Sequence, residues 1–148
     1  DGQVIISGDK ESVNNFQKIL KNEKLKSIPL RVSAPFHCSL MKSAADKMSK
    51  KIIDTSFNTP EIEIINNVTA MSEKDPKKIK ELLINQIFST VRWRESIINL
   101  SGMGISNFIE IGPGKVLSGM VKRTIKNVNN FSINSIDDIN NLKNELKK

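Results

Sequence analysis

The stretch Asn107-Phe108-Ile109-Glu110-Ile111-Gly112-Pro113-Gly114-Lys115-Val116-Leu117 decides the fold class of this chain. Residues 107–111 favour a short strand, and the glycines that follow mark a tight turn. A helix is expected over 115–126, a further strand over 131–135 and a final helix over 136–147. A strand, a turn and a helix followed by another strand are typical of the α/β class.

The beginning of the chain predicts a similar order. The run 3–8 is rich in β-branched residues and ends in glycine, which favours a strand. Asp9 is placed to cap a helix whose apolar residues share one side, namely Val13, Phe16, Ile19 and Leu20. Residues 28–33 alternate as a strand does, with Pro29 near the beginning. We therefore expect a strand–helix–strand unit here.

The middle of the chain predicts further helices. Ser39 is placed to cap a helix that runs to about Asp54, with apolar residues at every fourth position. A strand is expected over 62–65, and Asp75 followed by Pro76 is a favoured helix start. An apolar pattern over 97–103 predicts one more helix. The alternation of strands and helices predicts an α/β fold with a largely parallel sheet.

Charge and composition narrow the choice of partner. The 148 residues include 23 Lys and Arg against 16 Asp and Glu, and the net charge of +7 favours an anionic partner. Nucleic-acid readout favours aromatic residues and Arg, which are scarce here, so we expect no nucleic acid. No stretch approaches the roughly 20 apolar residues of a membrane helix, so we expect no membrane span.

The single cysteine and the single histidine limit the chemistry further. A structural zinc site needs four nitrogen or sulfur ligands, so we expect no metal site. One cysteine fits a reducing compartment, and we expect the cytoplasm or the lumen of a plastid or mitochondrion rather than secretion. The start at Asp1 has neither an initiator Met nor a signal-peptide pattern, and we expect the chain to be cut there.

His37 is the residue best suited to proton transfer. It lies in a proline-containing turn between a predicted strand and a predicted helix, where α/β proteins often place catalytic groups. A histidine can take and return one proton at cellular pH, as acyl transfer to Ser or Cys requires. The alternative is a histidine that caps the next helix or fills a gap. The neighbouring Cys38 is better interpreted as a small packing residue than as a nucleophile.

Two other motifs have structural and functional interpretations. Residues 112–115 lack the spacing of a phosphate-binding loop, so a tight turn is expected. Lys115, Lys122 and Lys126 fall on one side of the predicted helix. They form either a solvated face or a surface that guides an acidic partner. No G-x-S-x-G sequence is present, so His37 lacks an evident nucleophile elbow.

Several motifs give the chain a more specific resemblance. In order they are Ser33-Ala34-Pro35-Phe36-His37-Cys38-Ser39-Leu40-Met41, Ile65-Asn66-Asn67-Val68, Gln86, Val91-Arg92-Trp93 and Glu110-Ile111-Gly112-Pro113-Gly114-Lys115-Val116-Leu117. At these spacings they closely resemble malonyl-CoA:acyl-carrier-protein transacylases. The resemblance spans nearly all of the chain and corresponds to roughly the C-terminal half of that family.

The resemblance implies an S-malonyltransferase of fatty-acid biosynthesis that uses malonyl-CoA and acyl carrier protein and needs no cofactor. A serine would accept malonyl from coenzyme A and pass it to the phosphopantetheine thiol of the carrier. His37 matches the catalytic histidine, and Gln86 matches the residue whose main-chain carbonyl orients that ring. Substitutions of the Gln86 side chain are therefore expected to be mild. Phe36 matches a position where a bulky side chain favours malonyl over its α-methyl analogue.

The resemblance also implies what this chain lacks. The family's serine elbow, oxyanion segment and malonyl-binding arginine have no counterpart here, so we expect no activity without the missing N-terminal half. The family fold is a large α/β-hydrolase-like subdomain with a small ferredoxin-like subdomain. On that mapping, residues 1–34 close the small subdomain as a β-α-β unit and residues 35–148 belong to the large one. The rival interpretations are an acyltransferase domain of a polyketide or fatty-acid synthase and a non-catalytic module that binds a carrier protein.

Overall fold

A computed structural model describes residues 3–145 as a mixed α/β chain with two compact units, 3–92 and 93–145. The first unit holds three helices and one short strand pair. Its elements are α1 (Lys10–Asn22), a 3-10 turn (Ser39–Met41), α2 (Lys42–Asp54), β1 (Ile64–Ile65), β2 (Ser72–Glu73) and α3 (Pro76–Asn85). The second unit holds α4 (Trp93–Gly102), β3 (Asn107–Ile111), α5 (Val116–Thr124), β4 (Asn129–Ile133) and α6 (Ile136–Glu145).

Helix α1 begins as the sequence predicts. The Asp9 side chain accepts a hydrogen bond from the main-chain N–H of Ser12 at 3.0 Å, which confirms Asp9 as the N-cap. The helix ends where Lys24 takes a left-handed conformation with φ of 58°. The N–H of Leu25 then reaches back to the carbonyl of Leu20 at 2.8 Å. This closing pattern supplies donors to carbonyls that the helix leaves unpaired.

The strands predicted on either side of α1 are not formed. Residues 3–9 and 25–32 contain neither helix nor strand, so the predictions for 3–8 and 28–33 are wrong for this structure. A strand needs a hydrogen-bonded neighbour, and within residues 3–145 no strand pairs with either segment. Their apolar side chains are consequently exposed, with Val4 at 91%, Ile28 at 68% and Val32 at 61%.

The core of the first unit lies between α2 and α3. Ala45 of α2 is fully buried, and Ile79 and Leu82 are the buried residues of α3. The ammonium of Lys80 donates to the carbonyl of Ile53 at 2.7 Å, which fastens α3 to the end of α2. Ser39 does not cap α2, because it is the first residue of the 3-10 turn. Cys38 is the N-cap of that turn, and its side chain makes no capping hydrogen bond.

The strand predicted over 62–65 is reduced to Ile64–Ile65. It pairs antiparallel with β2, so the expectation of parallel pairing is wrong for this unit. The turn that joins the two strands leaves little room for any other arrangement, because parallel neighbours need a crossover of a dozen or more residues.

The second unit has the predicted order of elements, although β4 spans Asn129–Ile133 rather than the predicted 131–135. Strand β3 has its predicted bounds and pairs parallel with β4, with Asn107 opposite Asn129 and Ile111 opposite Ile133. Helix α5 connects the two strands and packs on both. The buried core comprises Ile97, Val121 and Ile133 together with Ser96 and Ser118.

Some boundaries in the second unit differ from the predictions. Helix α4 begins at Trp93, earlier than the predicted 97. Helix α5 ends at Thr124, so Lys126 lies beyond it. Helix α6 is described to Glu145, and its predicted end at Lys147 lies outside the described residues. Across residues 3–145, no helix has both the length and the apolar content to cross a bilayer.

Candidate active site

His37 lies in a tight turn between the 25–32 segment and the 3-10 turn. Its φ of 61° is in the left-handed region, which only a small share of residues other than glycine adopts. The N–H of Phe36 donates to the carbonyl of Ala34 at 2.9 Å and tightens the same turn. The imidazole is exposed rather than packed into a core. An uncommon backbone conformation at an exposed titratable residue is often associated with a functional site.

The ring of His37 is oriented by a main-chain carbonyl that lies 49 positions further along the chain. Nδ1 is 2.9 Å from the carbonyl oxygen of Gln86. Because a carbonyl oxygen only accepts, Nδ1 must carry the hydrogen of this bond. In the neutral ring Nε2 then keeps its lone pair, and within residues 3–145 it has no hydrogen-bond partner. The arrangement leaves Nε2 able to accept a proton.

The carbonyl of Gln86 is available because α3 ends there. The helix begins at the predicted cap, where the Asp75 carboxylate accepts from the N–H of Lys77 at 2.9 Å and Pro76 takes the first helical position. Gln86 is the C-cap, and the last carbonyls of a helix have no donor within the helix. The bond to His37 therefore satisfies an otherwise unpaired acceptor.

Asn67 also belongs to this site, although no pattern in the sequence assigns it a role. Its Nδ2 donates to Oε1 of Gln86 at 3.0 Å, and its carbonyl accepts from the N–H of Arg92 at 2.9 Å. The only signal in the sequence was that Asn67 and Arg92 both lie in motifs shared with the family that the chain resembles. Neither periodicity nor spacing indicates that these residues meet.

Asn66 fixes the loop that presents Asn67. Its Oδ1 accepts from the N–H of Val68 at 3.2 Å and from the N–H and hydroxyl of Thr69 at 2.9 and 3.0 Å. Its Nδ2 donates to the carbonyl of Met71 at 2.8 Å. Such side-chain bonds to nearby main chain are the usual way in which Asn stabilises a turn.

The neighbours of His37 occupy distinct positions. The Cys38 thiol is half-buried and donates to the carbonyl of Pro35 at 3.1 Å, which fits the expected packing role. Phe36 leaves 46% of its surface exposed. Among the described residues 3–145, no group of three or more His, Cys, Asp or Glu side chains is arranged to hold a metal ion.

The glycine turn of the second unit is a structural anchor for α5. Gly112 and Gly114 have φ of 138° and 94°, and the N–H of Gly114 donates to Oδ1 of Asn134 at 2.7 Å. The Glu110 carboxylate accepts from the main-chain N–H groups of Leu117 and Ser118 at 3.1 and 2.7 Å. Hydrogen bonds from Ser118, through its side chain and its main chain, lower the pKa of Glu110 below its ordinary value.

The three lysines singled out by the sequence are all exposed. Lys115 is the N-cap of α5, Lys122 lies in its last turn and Lys126 follows its end. They therefore lie at both ends of α5 rather than along one face of a longer helix. The apolar residues at the beginning of α5 are also exposed, with Val116 at 67% and Leu117 at 41%.

Comparison with known proteins decides the family. The model of the acyl transferase domain family matches residues 1–145. This chain belongs to the acyl transferase domain family. The predicted resemblance to the C-terminal half of the transacylases is also confirmed, because the chain matches the C-terminal portion of the curated transacylases.

Curated members of the family show the same relationship. The chain is 40% identical to the malonyl CoA-acyl carrier protein transacylase of Bacillus subtilis, over 93% of this chain and 44% of that protein. It is 36% identical to the transacylase of Haemophilus influenzae, over 94% of this chain and 45% of that protein. The chain thus spans less than half the length of these relatives.

Solved structures of the family share the fold. The acyl carrier protein S-malonyltransferase of Vibrio cholerae is 41% identical with a TM-score of 0.86, covering 91% of this chain and 44% of that one. The enzyme of Bartonella henselae has a TM-score of 0.89 at 32% identity, covering 95% and 45%. A further match is a malonyl-transacylase in complex with its type II PKS acyl-carrier protein, with a TM-score of 0.85 at 34% identity.

Proposed function

We propose that this chain forms part of a malonyl-CoA:acyl-carrier-protein transacylase and supplies its proton-transfer histidine. The observation that carries the proposal is the 2.9 Å bond between Nδ1 of His37 and the carbonyl of Gln86. It leaves Nε2 of an exposed ring unprotonated, which is the state that a general base requires. The relatives' names give the substrate and the acceptor: malonyl-CoA and acyl carrier protein.

The chemistry proceeds in two symmetrical steps. A serine hydroxyl attacks the thioester carbonyl of malonyl-CoA, Nε2 of His37 takes the hydroxyl proton, and the bond to sulfur breaks. The imidazolium returns the proton to the departing coenzyme A thiolate. The carrier's phosphopantetheine thiol then attacks the serine ester, giving its proton to Nε2, and the proton returns to the serine oxygen. The Gln86 carbonyl supports the imidazolium through its bond to Nδ1–H, a task that an acidic side chain performs in many triads.

On this proposal the serine would come from the part of the enzyme that corresponds to the region of the relatives that this chain does not span. The same region would also cover the apolar segments flanking α1, where Val4, Ile28 and Val32 are highly exposed. We also propose that residues 1–34 are the closing part of a ferredoxin-like subdomain and that residues 35–148 are part of an α/β-hydrolase-like subdomain. The unpaired segments would then become strands once their neighbours are present.

Phe36 and the three lysines would adjust this activity. Phe36 directly precedes His37 and is partly exposed, so its ring can narrow the space beside the reacting carbonyl and disfavour an α-methyl group. Lys115, Lys122 and Lys126 would attract an acidic carrier protein. We propose that the protein is located in the cytoplasm or in an organelle lumen, both of which fit a chain with a single cysteine.

A malonyl-transfer assay tests the function. The remaining N-terminal region of the Bacillus subtilis relative is joined to this chain, and transfer from malonyl-CoA to holo acyl carrier protein is measured. We expect transfer by the joined protein and a loss of at least about a hundredfold in His37→Ala, the usual effect of removing a general base.

The assay also separates the rival functions. Binding of the carrier without transfer would favour a non-catalytic module and contradict the proposal. Transfer at the full rate by His37→Ala would remove His37 from the mechanism. Cys38→Ala is the matched control, because the Cys38 thiol bonds to Pro35 rather than to the ring, and its rate should stay near that of the parent.

A further inference from the structure

The bond to His37 uses the main chain of Gln86, whereas the side chain of Gln86 is held by another residue. The family resemblance implies mild effects for substitutions of this side chain, because a main-chain carbonyl would suffice to orient the ring. The structure adds a contact outside that expectation: Oε1 of Gln86 accepts from Nδ2 of Asn67 at 3.0 Å. The question is what this bond does for the carbonyl.

Helix α3 alone defines the position of that carbonyl weakly. Gln86 is the C-cap, and the last turn of a helix is the part that frays. The turn that follows contains longer main-chain bonds of 3.2 Å, from Ile87 to Ile84 and from Phe88 to Asn85. A small rotation of this peptide plane would move the oxygen away from Nδ1.

Asn67 contacts the segment 86–92 at both ends. Its side chain binds Gln86, and its carbonyl binds the N–H of Arg92 at 2.9 Å. Asn67 is itself part of the turn that Asn66 stabilises with four hydrogen bonds. The two bonds therefore fasten the segment to a well-defined loop.

Packing does not substitute for the bond between Asn67 and Gln86. Both residues line a cavity of about 150 Å³ between β1 and α3, whose other lining is mainly apolar. Side chains that border a cavity make fewer packing contacts that resist a shift. We propose that Asn67 is a positioning residue that holds the Gln86 carbonyl against Nδ1 of His37. Its consequence for catalysis rests on the proposed function, whereas its consequence for the ring does not.

The ring itself provides a readout that is independent of activity. The chain has a single histidine, so nitrogen NMR reads the tautomer of His37 without overlap. Asn67→Ala and Gln86→Met remove the two sides of the same bond, and in each we expect the Nε2–H tautomer to become severalfold more populated than in the parent. Gln86→Glu retains an oxygen acceptor and should keep the Nδ1–H tautomer. Asn58→Ala, at an exposed position of the same unit, is the matched control.

The transfer assay gives the functional readout. In the joined protein, Asn67→Ala should lower kcat about three- to tenfold with little change in KM, the size expected for one hydrogen bond. The double variant with Gln86→Met should lose no more than either single variant, because both remove one bond.

Each outcome decides the inference. An unchanged tautomer in both Asn67→Ala and Gln86→Met would overturn it, and if Asn67→Ala does not fold, Gln86→Met decides alone. A parent protein without transfer would contradict the proposed function while the tautomer ratio still tests the role of Asn67. A severalfold loss of the Nδ1–H tautomer in Asn67→Ala and Gln86→Met would support the positioning role of Asn67.

Discussion

At the scale of single residues, the site depends on which nitrogen of His37 carries a proton. The Gln86 carbonyl selects Nδ1–H, since an oxygen acceptor cannot bond to a bare ring nitrogen. The backbone of His37 is left-handed, with φ of 61°, a conformation that carries some conformational cost. Such strain persists because the surrounding turn and the ring's bond both constrain the residue.

The sequence predicted part of this residue-scale picture. His37 was identifiable as the one histidine in a turn, and Gln86 was identified by resemblance rather than from its own chemistry. Asn67 was missed because its bond to Gln86 joins side chains 19 positions apart, which no local pattern records. The roles of His37, Gln86 and Asn67 in catalysis stay predictions.

At the scale of elements, the carboxylate of Glu110 links β3 to the beginning of α5. Hydrogen bonds from Ser118 and Leu117 hold the pKa of Glu110 below the ordinary 4.5, and they favour the charged form in the folded chain. A lowered folded pKa adds stability that is present above the unfolded value and is lost as pH falls through the folded value. The N-terminus of a helix also favours negative charge.

Glu110→Gln should therefore reduce stability at neutral pH and flatten its acid dependence. We expect the free energy of unfolding of the parent, measured by urea titration, to fall as pH is lowered through and below 4.5. The variant should lack that part of the decrease. Glu61→Gln, at an exposed position in the other unit, is the control. Equal pH dependence in parent and Glu110→Gln would contradict this role.

The elements show why local prediction succeeded in some places and failed in others. The helix starts at Asp9 and Asp75 were predicted because capping uses neighbouring residues. Strand β3 was also predicted with its bounds, and its partner β4 follows within the same unit. The runs 3–8 and 28–33 have strand-like sequences but no paired neighbour among residues 3–145, and pairing is a property that one segment cannot encode.

At the scale of the whole molecule, the net charge of +7 favours association with an anionic partner, which on the proposed function is the acyl carrier protein. Reversing the charge at Lys115, Lys122 and Lys126 to Glu should weaken carrier binding severalfold at low salt and less at high salt, because salt screens exposed charges. Titration calorimetry on the joined protein at two salt concentrations measures the effect.

A charge-matched control separates local docking from overall charge. Lys26, Lys47 and Lys50 are exposed lysines of the other unit, and their reversal to Glu changes the net charge by the same amount. If both triple variants weaken binding equally, only the overall charge matters. If neither does, the three lysines at α5 form an ordinary solvated face.

The most direct test of the account is the tautomer of His37 in the unaltered chain. Nitrogen NMR, recorded at a pH where the single imidazole is neutral, distinguishes a proton on Nδ1 from one on Nε2. We predict a proton on Nδ1, bonded to the Gln86 carbonyl, and a bare Nε2. A ring that carries its proton mainly on Nε2 would contradict the account, because that nitrogen could not then accept the serine proton.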